Sequence, residues 1–270
     1  MKRKLTALSV AFLLAFVLCA SAAWSSDDFI NSTQGYGVGV WWNTVYGEVV
    51  YGTKLDLRDD LNLKNGKPAL NLDAEWNFND KWGMTLNYFH ARHDGSSTAA
   101  RSQVFNGAQI LAGDRMETKL RLDTVSVMAK YNLYRTQDSV LDLQGGAKLI
   151  SSDLSIHKQA TINPVLAPRF NFSLKPTTSF YPALGLSGKQ RIADRIHIYG
   201  DFTGMFDVGG GNVKNGYFLD FKGGFRYNFQ HPGWYLSFDY RTFGSRVERN
   251  NGNKSRLWWN GPAINLRYEF

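Results

Sequence analysis

Residues 261–270 read GPAINLRYEF, and this last stretch decides the fold. Ile264, Leu266, Tyr268 and Phe270 alternate with Asn265, Arg267 and Glu269, the period of two that sends successive side chains to opposite faces of a strand. The same alternation runs back through the chain. GWYLSFDYRTF (233–243) sets Trp234, Leu236, Phe238 and Tyr240 against Tyr235, Ser237, Asp239 and Arg241. NGYFLDFKGGFRYNF (215–229) sets Tyr217, Leu219, Phe221, Phe225, Tyr227 and Phe229 against Asp220, Lys222, Arg226 and Asn228. ALNLDAEWNF (69–78) sets Leu70, Leu72, Ala74, Trp76 and Phe78 against Asn71, Asp73, Glu75 and Asn77.

The joints between these segments alternate in length. NDK (79–81), RTQD (135–138), ADR (193–195) and QHPG (230–233) are tight turns; Gly47–Pro68, Asp94–Glu117, His157–Thr177, Gly209–Asn215 and Glu248–Arg256 are longer and polar. The pattern predicts ten strands, near 36–46, 69–79, 81–93, 118–135, 139–156, 178–192, 194–208, 216–230, 233–247 and 257–270. Strand one has the least regular pattern, and YGEVVYGTKLDL extends it in an alternative reading; eight strands is the alternative count. An even count puts long loops on one side and tight turns with both termini on the other, the layout of an up-and-down antiparallel barrel in an outer membrane.

The chain opens MKRKLTALSVAFLLAFVLCASAAW, with Lys2, Arg3 and Lys4 before an apolar run from Leu5 to Ala20 and small residues to Ala23. This is the pattern of a secretory signal peptide, so residues 1–23 are expected to be removed and 24–270 to form one barrel domain. Its loss takes the formal charge from +8 to +5 and removes Cys19, the only cysteine. A disulfide framework and thiolate metal sites are then excluded, and export argues against a nucleic-acid partner. No other apolar run approaches the roughly 20 residues of a membrane helix.

Aromatic residues make up 14% of the chain, too many at strand ends for the mostly aliphatic core of a soluble sandwich. Trp76, Trp82 and Trp234 flank tight turns, while Trp258 and Trp259 begin a strand at a long loop. Aromatics are favoured at membrane–water boundaries, and two such girdles are what a barrel in lipid needs. In hydrocarbon an open sheet edge leaves unpaired N–H and C=O groups, so the last strand must close onto the first.

On these residues the chain resembles the small bacterial outer-membrane β-barrel proteins, the OmpA-barrel, OmpX and OmpW-like group. The resemblance implies an all-β, closed, antiparallel transmembrane barrel located in the outer membrane. It also implies that Ile264, Leu266, Tyr268 and Phe270 form the signal read by the barrel-assembly machinery.

If the oily face meets lipid, the ionic face lines the lumen. Those positions hold the acids Asp73, Glu75, Asp142, Asp201, Asp220, Asp239 and Glu269, and the bases Lys130, Lys148, Lys189, Arg191, Lys222, Arg226, Arg241 and Arg267. A near-balanced set is expected to pair across the interior, because a buried charge without a partner costs several kcal/mol. The expected role is structural or surface-interactive through the loops; the alternatives are a small passive channel and a rim enzyme. Phe105, Ile110, Leu111, Leu166, Phe170 and Phe172 interrupt the polar loops and are expected to pack them together, with docking of a partner as the alternative. Arg246, Arg249, Lys254 and Arg256 in SRVERNNGNKSR read as a solvated basic loop or, as the sharper hypothesis, as contacts to lipopolysaccharide phosphates, which Arg binds bidentately. Outer-membrane lipids are thus the expected partners, and no cofactor or metal is expected. For catalysis, His90, His93 and Asp94 with His157 are the rim candidates, but the odd spacing of His90 and His93 puts them on opposite faces of a strand. His197 and His231 fall near the turn side, and GGGN (209–212) lacks the strand–loop–helix context of a phosphate cradle. No catalytic residue is assigned.

Overall fold

The computed structural model describes residues 33–159, 170–205, 213–229 and 233–270. The expected signal peptide, His231, Leu166 and GGGN (209–212) lie outside the described residues.

Ten long strands form the wall: β1 (Gln34–Tyr51), β3 (Lys67–Asn77), β4 (Trp82–Thr98), β7 (Arg115–Arg135), β8 (Ser139–Gln159), β9 (Phe170–Ala193), β10 (Ile196–Met205), β11 (Val213–Asn228), β12 (Trp234–Arg249) and β13 (Lys254–Glu269). Each pairs antiparallel with its neighbour in order, and β13 pairs back onto β1, so the barrel is closed. The closure register puts Val38 opposite Leu266 and Val40 opposite Ile264. The terminal residue is part of the seam: the Phe270 carbonyl accepts from the Thr33 and Gln34 N–H groups, and its own N–H donates to Gln34 O. Its ring is buried beside Tyr36 and Tyr268.

The strands outrun the expected bounds at the loop end. β1 continues to Tyr51 and folds back at Gly52, whose positive φ of 80° suits glycine, into the short β2 (Thr53–Asp56). β5 (Gln103–Phe105) and β6 (Ala108–Ile110) form a separate hairpin within the loop expected to be irregular. At the other end the three described turns, at 79–81, 135–138 and 193–195, are as short as read. Position 39, on the inward parity of β1, needs glycine because a Cβ there would lie 1.8 Å from Asn265 Oδ1.

The alternation holds along the whole strand, but its sign reverses partway up. On β7 the outward residues run Val127, Val125, then Asp123, Arg121, Lys119; the inward ones run Lys130, Ser126, then Leu122, Leu120. On β4, outward Leu86 and Tyr88 give way to His90, Arg92 and Asp94, while inward Asn87 gives way to Phe89 and Ala91. On β12, outward Phe238 and Tyr240 give way to Arg246, while inward Asp239 and Arg241 give way to Phe243. The lower wall is oily outside and ionic inside; the upper wall is the opposite. A membrane explains this, because apolar surface belongs outward only where lipid covers it, and above the lipid it belongs inward.

Two aromatic belts mark the boundaries. Trp234 meets Tyr268, and Trp82 meets Tyr131, at the turn end. Trp258 stacks on Tyr46 at the loop end, with ring centroids 6.5 Å apart. From Tyr268 to Trp258 is ten positions along β13, which at a strand tilt of about 40° gives roughly 25 Å, the height of the oily band in such barrels. Trp259, expected in the outer belt, points inward instead and is buried against Phe243.

Candidate functional site: a filled lumen beneath a basic rim

The lower lumen is an ionic network. Arg267, on β13, bonds Asp73, Glu75 at 2.6 Å and Glu269. Glu75 also receives Lys130 at 2.5 Å and Lys189 at 2.8 Å. Arg226 reaches Glu269 at 3.0 Å, and Lys130 lies 3.5 Å from Asp142. A second cluster centres on Asp220, which accepts from Lys148 and, at 3.0 and 2.8 Å, from Arg241. Arg241 donates further to Asn71 at 2.7 Å and Asn87 at 3.0 Å. Asp239 is held by the Tyr199 hydroxyl and the Asn265 amide, and Lys222 stands 3.9 Å from Asp201. Arg191 belongs to the turn-end rim, where it lies 3.5 Å from Asp138.

All the other ionic positions expected in the lumen are thus inward. The neutral members Asn71, Asn87, Asn265 and Tyr199 were missed, although they share the inward parity of Asp73, Arg267 and Asp201. A cavity of about 90 Å³ lies within the network, bordered by Ser126, Lys148, Lys222 and Arg241 among others; that is room for a few water molecules.

The upper lumen corrects the expectation of a polar interior. Arg241 forms the junction: its guanidinium sits 4.1 Å from the Phe89 ring centroid and 5.4 Å from that of Trp41. Above it Trp41, Phe89, Phe243, Trp259, Leu120, Leu122, Leu154 and Ile156 are buried together. The segment expected to be a polar loop adds Leu55, Leu57, Leu61 and Leu63, each at most 1% exposed. Phe105 and Ile110 of the hairpin join this cap, as loop-packing residues, whereas Leu111 is exposed.

His93 lies inside the cap, 1% exposed, and its Nε2–H donates to Asn43 Oδ1 at 2.7 Å. The Asn43 amide in turn donates to Trp41 O and Lys67 O, tying the loop to the wall. Burial is the main cause that pushes the His93 ring down to about 4, and Lys67 acts in the same direction. His90 lies on the outer wall, with Nδ1 2.7 Å from Asp123 Oδ1, and Asp123 also accepts from Tyr88 at 3.2 Å. Asp94 is bound to Arg92 at 3.1 Å, and His157 stands opposite Glu117 on β8, two strands from β4. The rim candidates are therefore not brought together. His197 is buried in the lower lumen near Tyr235. Among the described residues no group of three or more His, Cys, Asp or Glu side chains could hold a metal ion.

On the outer wall just above the loop-end belt, Arg246 and Arg256 stand directly opposite each other on β12 and β13. Lys254 faces Glu248 at 3.6 Å, and Glu248 also has Lys214 and Arg246 at 3.5 Å. Arg249 has the other parity on β12, so the four expected phosphate contacts do not share one face.

A closed ten-stranded barrel with an oily waist and two aromatic belts is an outer-membrane protein fold. The chain belongs to the family described as outer membrane protein beta-barrel domain, whose model matches residues 10–270. A comparison with curated proteins gave no match. Among solved structures it is similar to the outer membrane protease OmpT from Escherichia coli, at 10% identity and a TM-score of 0.57, covering 93% of this chain and 99% of that one. It is also similar to the translocator domain of the autotransporter NalP from Neisseria meningitidis, at 11% identity, TM-score 0.48, and 100% and 94% coverage. Neisserial surface protein A matches at 13% identity, TM-score 0.34, and 88% and 98% coverage. The likeness to OmpT describes the fold alone. The protein is an integral outer-membrane barrel; the turn end is then periplasmic and the loop end extracellular.

Proposed function

We propose that the protein is a sealed barrel with a structural or surface-interactive role, exercised by its extracellular rim. The observation that supports this reading is the apolar cap. Leu55, Leu57 and Leu61, each 0% exposed, pack down among Trp41, Phe89 and Phe243, where a conducting pore needs a continuous wet path. The ionic network beneath ties its charges to one another, so few remain to attract a permeant ion. The reading includes no catalytic step, since His90 and His93 serve opposite sides of the wall. Its partners are the lipids of the outer leaflet, lipopolysaccharide included, and during insertion the assembly machinery that reads Ile264, Leu266, Tyr268 and Phe270.

Planar-bilayer recording of the refolded protein tests the seal. The expected trace has no unitary steps at any voltage the bilayer tolerates. Regular steps of a single size would establish the passive-channel alternative instead.

A further inference from the structure

Two pairs of arginines stand side by side on the outer wall at the level where the strands leave the lipid. Arg92 is directly opposite Arg121 on β4 and β7, and Arg246 is directly opposite Arg256 on β12 and β13. Like charges directly across a strand pair repel, so each pair needs a compensating anion. The first pair has its own. Arg92 is bound to Asp94 at 3.1 Å, while Asp123 lies two residues from Arg121 on the same face of β7 and Asp153 lies directly opposite Arg121 on β8.

The second pair has fewer anions to spare, since the one Arg246 reaches, Glu248, is shared. Its neighbouring carboxylates are already engaged: Glu48, opposite Arg256, is held by Lys54 at 2.5 Å. Glu248 is shared by Lys214, Lys254 and Arg246, each at 3.5 to 3.6 Å. Asp56 Oδ1 accepts the backbone N–H groups of Arg58 and Asp59. Five cations, Lys54, Lys214, Arg246, Lys254 and Arg256, thus meet three carboxylates, and Arg256 is exposed with no ion pair among the described residues. Directly below, Trp258 and Tyr46 stack at the membrane boundary.

We propose that Arg246 and Arg256 form a binding site for the phosphate of an outer-leaflet glycolipid, with Trp258 and Tyr46 against its sugar or upper acyl region. The site rests on the reading of the rim as the interacting surface, and it narrows that surface to one pair. A phosphate monoester between two guanidiniums accepts from both forks, which removes their repulsion and supplies charge-assisted hydrogen bonds. A lipid source fits better than a free anion because the pair opens sideways, next to the belt, at the height of the headgroups.

The test uses the full protein, stripped of lipid and refolded in zwitterionic detergent, titrated with bis-phosphorylated lipid A and followed by native mass spectrometry. The Arg246→Gln/Arg256→Gln variant should bind roughly tenfold or more weakly, and lipid A with its phosphates removed should bind wild type as weakly. The Arg92→Gln/Arg121→Gln variant, whose pair stands among Asp94, Asp123 and Asp153, should match wild type. Heat-modifiable mobility on a gel confirms that each variant is folded; if the double variant does not fold, Arg256→Gln alone is read in its place. Undiminished binding by the variant, equal binding of the dephosphorylated lipid, or displacement by millimolar inorganic phosphate would overturn the proposal. Channel steps in the bilayer would sink the sealed-barrel reading without touching this one.

Discussion

Arg267 holds three carboxylates at once, Asp73, Glu75 and Glu269. Removing it leaves acids in the lumen with too few cations, and a buried pair broken from one side costs about 3–5 kcal/mol. Arg267→Met should therefore lower the urea midpoint of the vesicle-embedded barrel by an amount of that size. Arg256→Met, on the wet outer wall, should shift it by no more than about 0.5 kcal/mol. His93 gives the pH dependence. Its ring titrates at about 4 in the fold, against about 6.5 when unfolded. Between those values the unfolded chain binds the extra proton, so stability rises with pH across the window and falls as the solution is acidified. The loss from pH 7 to pH 4 should approach about 3 kcal/mol. Urea midpoints at pH 7, 5 and 4 measure it, and in His93→Gln the slope should shrink.

At the scale of the strand, the lower half of the wall was legible in the sequence and the upper half was not. Residues 262–268 read correctly because they lie within the lipid band, where oily residues face out, while Phe270, just past the belt, is buried against Tyr36 and Tyr268. LRLDTVSV on β7 crosses the boundary: Val127 and Val125 share a parity with Asp123 and Arg121. A reading that assigns every oily residue to lipid fails there, because which face is dry depends on the depth of the residue, and depth is not a local property. The charges that appear on the outward parity were the available signal. Trp259 was misplaced for the same reason, being one residue away from the true belt member Trp258. The leucines of the cap were hidden by the opposite effect, since LDLRDDLNLK looks like a polar loop until the wall above the membrane offers it an apolar surface. Their role is testable: Leu57→Glu/Leu61→Glu should dislodge the cap and give the refolded barrel conductance steps that wild type lacks. Unchanged silence in a folded variant would mean the seal lies elsewhere.

For the whole molecule, the closed sheet, the oily waist and the filled lumen are one arrangement: a wall that turns itself inside out at the edge of the lipid. The chain's only cysteine is Cys19, so in a barrel produced from residues 24–270 single cysteines placed along β13 can each carry a spin label. Collision with oxygen then reports lipid contact, and collision with a water-soluble nickel chelate reports solvent contact. Labels at 264 and 266 should show high oxygen and low nickel accessibility, a label at 256 the reverse, and a label at 259 neither. Nickel accessibility at 264 and 266, or free access of the chelate to 259, would contradict the account.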